Sequence, residues 1–534
     1  METRHIALAA AIGAAAALNA QDTYQNAAIM ERDLNGTARY VGMGGAMDAL
    51  GADISTIGTN PAGIGLFRHS VANVSFGFST QQGAENFDQG RKTAGSFDQA
   101  GFVWAMRSGR NSYLNFAFNY HKSQNFNQIM SAANRLGGAS QNKLTYMKLR
   151  NGNLYRQGEG QMPIEDEPYV TNNQLDYIYY NNLTKYQYED GSADFGYYDA
   201  EDYSFDGWKK GHIGQYDFNI SGNIHDKVFL GFTFGFHDVH YRSYGEYRET
   251  LAPNADNIGG LTVGDTRQIT GSGFDVKAGL ILRPVDSSPF RVGLSVATPT
   301  WYSLHTYNNT YITDGGHKPY SSESYDFKLY TPWKFGLAIG HTFGSSVAVG
   351  AGYDYAGYGS MDTRAIDSEG YDGWTDEYYE YSSSEPDMNR HTGETLAGVS
   401  TLKVGAEVKV VPEVAFRIGY NYVSPMYKED GFKDGTVDAL GSYYSSSTAY
   451  TNWKATNRLT FGVGMNFDRL DVDFAYQYSG TDGVFKPFMD GEAEFQNYDA
   501  AGDPAGTETL ENFSTPSAVS LKRHQALLTL TYHF

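Results

Sequence analysis

The chain has no cysteine in 534 residues. Disulfides, thiolate metal sites and thiol nucleophiles are therefore excluded, which suits a protein that crosses an oxidising compartment without covalent staples. Long apolar runs are missing too. No stretch of 18 apolar residues occurs and the mean hydropathy is −0.47, so a bundle of membrane helices is excluded. Membrane strands are not, because each needs only about 9 to 11 residues, half of them polar. Positive charge is scarce: 40 Lys and Arg stand against 61 Asp and Glu, a net charge of −21. That argues against nucleic-acid binding, which wants a basic stripe along the phosphates. Catalytic signatures are absent as well, with no Gly-x-Ser-x-Gly elbow and no His-Glu-x-x-His. His237 and His240 lie three apart on a predicted strand, which puts their rings on opposite faces and rules out joint metal binding. Neither an enzyme nor a cofactor is expected.

What the chain does contain is alternation. Fourteen stretches place apolar residues at a period of two. In the last of them Ala526, Leu528, Leu530, Tyr532 and Phe534 share one face, and Gln525, Thr529, Thr531 and His533 the other. The earlier ones begin at Val74, Phe102, Leu114, Tyr216, Val228, Phe274, Phe290, near Tyr325, and at Val347, Leu402, Val414, Leu459 and Leu470. Six of the connections are short turns and seven are longer, Tyr- and Asp-rich segments. No Pro/Gly/Ser linker divides the series. The pattern predicts an all-β fold: a 14-stranded antiparallel transmembrane β-barrel with short periplasmic turns and long outer loops. Tyr353, Tyr355, Tyr420, Tyr422, Tyr476 and Tyr478 mark strand ends, as an interfacial aromatic belt requires. Ten carboxylates between Asp362 and Glu394, and eight between Asp482 and Glu511, read as solvated outer loops.

The remaining segments give the domain plan. Residues 1–20 carry Arg4, His5, an apolar run and Ala20, and read as a signal peptide. Residues 21–69 are rich in small residues and precede the first strand. A lumen of this width cannot be closed by wall side chains alone, so this segment is expected to plug it as a hatch. Residues 70–534 form the barrel, with an extracellular insertion at about 122–212. Within it Phe126, Ile129, Met130, Ala133 and Leu136 recur at helical spacing and are candidates for ligand capture.

Ala38, Arg39, Gly42, Met43, Gly44, Gly45 and Ala46, then Asp53 and the triplet Asn60, Pro61, Ala62, resemble the hatch of the FadL-type outer-membrane transporters of long-chain fatty acids and aromatic hydrocarbons. Thr331 to Lys334, Leu402 to Glu407 and Arg417, Gly419 and Tyr420 extend the resemblance along the chain. It implies passive uptake of hydrophobic small molecules in the outer membrane of a Gram-negative bacterium. The expected partners are such a ligand, the lipid bilayer and the barrel-assembly machinery acting through the terminal Phe534, with the protein a monomer. In that family a kink in the third strand opens a side exit. Here Leu114 to Tyr120 contains neither Gly nor Pro, so the sequence does not show one. A FadL-like barrel serving as a docking subunit of a secretion system, or as a surface receptor or adhesin, is the alternative.

Overall fold

The computed structural model describes residues 22–31, 33–150, 174–182, 185–187, 193–254, 257–316, 318–372, 377–435, 437, 448–498 and 504–534. The expected signal peptide lies outside the described residues.

Fourteen staves close into one ring. They are β1 (Val71–Gln82), β2 (Thr93–Gly109), β3 (Ser112–Asn125), β4 (Ala200–Ile224), β5 (Val228–Leu251) and β6 (Gly260–Leu282), each one unbroken strand. β7 (Arg291–Ala297 and Trp301–Thr313), β8 (Tyr320–Tyr330 and Lys334–Phe343), β9 (Val347–Gly357 and Asp362–Asp372) and β10 (Glu377–Ser384 and Gly398–Val411) are each interrupted once. β11 (Val414–Val423), β12 (Tyr450–Phe467), β13 (Leu470–Lys486) and β14 (Ser517–His533) complete the order. Every neighbour pairs antiparallel, and β14 returns to β1 with Val71 opposite His533 and Gln82 opposite Lys522. Closure leaves no free edge in the ring, the condition for burying strands in lipid.

The interruptions have local causes. Pro299 and Pro332 lack the N–H that a ladder needs, and Thr298, Thr300 and Thr331 carry the hydrogen bonds around them. In β10 the break holds α3 (Pro386–Thr395), which folds back over the lumen. β3 has no break, and its register with β2 is continuous from Leu114 to Tyr120.

Three expectations need correction. Phe126 to Leu136 is not helical: Gln128–Arg135 is a strand paired with β4 from Asp202 to Lys209. A long-range ladder overrides the local 3.6-residue spacing there. The staves also run further than the alternation suggested. β3 reaches Asn125 and β4 starts at Ala200, which shortens the insertion at both ends. The acidic run after Asp362 is mostly outer strand and α3 rather than loop. β4 has 25 residues, about 80 Å of strand at ~3.3 Å per residue. Tilted by about 45°, it rises to roughly twice the ~30 Å hydrocarbon core. The barrel wall therefore continues well above the membrane.

Candidate functional site: the lumen

The amino-terminal segment is built from short, capped turns. Asp22 caps α1 (Thr23–Met30), accepting from the Gln25 N–H at 3.0 Å, and Thr37 caps α2 (Ala38–Gly42). Asp53 caps the single turn Ile54–Gly58 and also accepts from Thr37 Oγ1 at 2.9 Å. Asn60 caps the turn Pro61–Leu66, donates to the Asp48 carbonyl at 2.8 Å and accepts from the Ala62 N–H. Such caps fix a compact shape where Gly- and Ala-rich sequence alone would not.

That shape sits against barrel glycines. A Cβ on Gly42 would come within 3.2 Å of the Gly462 Cα on β12, and one on Gly44, at φ +64°, within 2.8 Å of the Tyr420 N on β11. Conversely a methyl at Gly405 would overlap the Met43 carbonyl, one at Gly350 the Ala46 carbonyl, and one at Gly231 the backbone of Pro61. Gly279 and Gly293 face Asn60. Backbone thus meets backbone around most of the ring, and only glycine permits that approach.

Ion pairs lock the contact. Glu407 on β10 receives Arg39 at 2.9 and 3.0 Å and Arg417 at 2.6 Å, and Arg417 also donates to Asp473 at 2.5 Å. Four residues along the same stave, Lys403 reaches Asp48 at 2.8 Å and also pairs with Asp354. In the wall itself, Lys277 bridges Asp217 and Asp275, and His237 meets Asp275 at 3.0 Å. His237 is inward and buried, whereas His240 is outward beside Asp238, so the two rings stand apart as the spacing required.

Higher up, the polarity of the wall inverts. On β5 the outward residues Leu230, Phe232, Phe234 and Phe236 are 40–50% exposed. Apolar surface of that extent belongs in lipid, not water. Above them Asp238, His240 and Arg242 face out, while Val239 and Tyr241 are buried inside. The same exchange occurs on β7, where Tyr302 and Leu304 point in and Ser303 and His305 out, and on β8, where Phe327 and Leu329 point in and Asp326 faces out. The result is a greasy cup with a wetted exterior, standing on a membrane-embedded ring whose inner face is polar.

α1 divides the space in two. The lower cavity, about 320 Å³, has apolar walls from Phe126, Tyr358, Val399 and Val423. Its charged lining includes Glu31 and Asp33 together with Lys209, Arg458 and Arg523. Glu31 opens onto this cavity, and desolvation deep inside the barrel pushes its carboxyl above the usual range despite the nearby Lys209. The upper chamber, about 160 Å³, is walled by Tyr24, Trp208, Tyr241, Tyr427, Tyr450 and Trp453. Ala28, Tyr427 and Trp453 border both. α1 is pinned from the side: Thr23 Oγ1 lies 2.9 Å from His391 Nδ1 and from Thr392 Oγ1 on α3, and Tyr24 stacks on Tyr427 at 5.2 Å.

No protein-family model and no curated protein matches the chain. Solved structures do resemble it. Its neighbours include FadL-type channels. A Pseudomonas aeruginosa FadL homologue has 13% identity, covers 95% of this chain and 99% of its own, and gives a TM-score of 0.49. The toluene transporter TodX of Pseudomonas putida has 12% identity, with 94% and 99% covered and a TM-score of 0.46. The toluene transporter TbuX of Ralstonia pickettii has 13% identity, the same two coverages and a TM-score of 0.46.

The structure brings Gly42 to Gly45 and Asn60 to Ala62 together on the lumen side of the wall. The capture candidates are dispersed. Phe126 lines the lower cavity and Met130 the upper chamber, while Ile129 and Leu136 are buried in the packing of the outer wall. Sequence reasoning missed the quartet Arg39, Glu407, Arg417 and Asp473 as a unit, although Arg39, Glu407 and Arg417 all fell within the resemblance. It also missed the tyrosines of the chamber. Inward glycines on successive staves were the available signal, but as sequence they mark only the lack of a side chain and not what packs against it.

Proposed function

We propose that this protein is a passive outer-membrane transporter for hydrophobic small molecules, with residues 22–69 as a hatch. The inverted wall carries the reading. An apolar cup standing in water is costly unless it receives apolar cargo, because a polar lining would serve an ion channel better. Cargo enters the upper chamber, where Met130 contributes to capture, and passes α1 into the lower cavity beside Phe126. There the cationic groups Lys209, Arg458 and Arg523 suit an amphiphile with an anionic head, such as a fatty carboxylate, within the fatty acids and aromatic hydrocarbons that the family resemblance implies. Movement of the hatch then releases it. A ligand that binds the shifted state better drives that movement, so no energy source is required. Native mass spectrometry of protein released from mild detergent tests the reading. A bound apolar or amphiphilic species supports it, and an empty barrel holding a stoichiometric protein partner would favour the docking role instead.

A further inference from the structure

The upper chamber has a chemistry of its own. Its volume, about 160 Å³, is that of a cavity holding one benzene-sized ring, for which about 150 Å³ suffices. Its walls are rings: Tyr24 stacks on Tyr427 and lies 5.0 Å from Tyr450, and Trp208 and Trp453 add to the lining. A flat aromatic guest meets such walls in offset or edge-to-face contact.

Two further features point to a charged end on that guest. Tyr241, Tyr427 and Tyr450 are at most 8% exposed and line the chamber, yet none of their hydroxyls bonds to a described residue. Nor are those oxygens sealed off from the space in front of them. Three phenol donors at one small cavity call for an acceptor, since a buried donor without one is costly. The charged lining is Lys209, Arg267 and Lys433 against Asp265. Arg267 donates to Asn308 at 2.5 Å and Lys433 pairs with Asp22 at 3.1 Å, so both are buried and held in place.

From this juxtaposition we infer that the upper chamber is a selective site for single-ring aromatic carboxylates, the ring packed among the tyrosines and the carboxylate on their hydroxyls. The inference rests on the uptake reading and narrows it, because a neutral hydrocarbon would leave the three donors unmet.

Titration calorimetry of the full-length protein in detergent with benzoate, toluene and decanoate decides the matter. Benzoate is expected to bind at least about tenfold tighter than toluene, and Tyr427→Phe or Tyr241→Phe to remove that preference while leaving toluene unchanged, as loss of a hydrogen bond to a charged group requires. These substitutions delete one oxygen each, and an unchanged heat-dependent gel shift verifies folding. Equal affinities for benzoate and toluene, or tyrosine variants without effect, would overturn the assignment. Decanoate binding with no aromatic binding would overturn it while leaving the uptake reading intact. Binding of none of the three would remove both.

Discussion

Replacing Glu407 by Ala strikes the contact between the amino-terminal segment and the wall most directly. Both of its carboxylate oxygens are committed, to Arg39 at 2.9 and 3.0 Å and to Arg417 at 2.6 Å. Without it Arg417 keeps Asp473, but Arg39 retains only the Ala52 carbonyl at 2.9 Å. Breaking a buried pair by removing one partner costs about 3–5 kcal/mol. The Arg39 side chain is 29% accessible, so solvent screens part of that, and about 2–3 kcal/mol falls on docking of the segment. At ~1.4 kcal/mol per tenfold, the undocked population rises roughly 30- to 150-fold. In planar bilayers this reads out as more frequent openings at unchanged barrel melting. Adding Arg39→Met removes the orphaned cation and should recover part of the loss, the coupling expected of one network. Earlier barrel melting with unaltered opening frequency would refute the reasoning, since the quartet would then hold the wall alone.

Other outcomes follow from the same geometry. Gly350→Ala forces a methyl into the Ala46 carbonyl and should destabilise docking by about 1–3 kcal/mol, whereas Gly222→Ala meets nothing within 4 Å and should be silent in the same conductance assay. Phe234→Lys lies within the lipid-facing band and should cost about 2–4 kcal/mol in urea titrations of protein folded into vesicles, while His240→Lys, above the band, should cost no more than about 1 kcal/mol. Burial pushes the Asp22 carboxyl up, but Lys433, Arg267 and the Gln25 N–H more than offset it and leave it below the usual range. Its contribution is therefore present at neutral pH and lost as pH falls through that lowered value. Asp22→Asn should flatten the acid limb of α1 protection measured by hydrogen exchange.

The fourteen staves were legible because lipid imposes its demand residue by residue: Leu528 and Leu530 must alternate with Thr529 and Thr531 wherever one face meets hydrocarbon. Above the bilayer that demand reverses. Tyr241, Tyr302 and Phe327 turn inward and polar residues outward, so β4 and β5 looked shorter than they are. The strand Gln128–Arg135 was misread because its partner, Asp202 to Lys209, lies about seventy residues away and no local period reports it. Arg39 and Glu407 are 368 positions apart, and their pairing depends on a closed ring that places β10 beside α2. Asn60 and Pro61 were readable as a motif, but their role as a cap resting on Gly231 and Gly279 needed the wall in view.

Single-channel conductance of the intact protein, compared with a variant lacking residues 22–65, tests occupancy of the lumen most directly. The intact barrel should stay closed to small ions, and the shortened one should conduct steadily, with a pore bounded by the inward glycines. Equal, large conductance from both would mean that the amino-terminal segment does not seal the lumen.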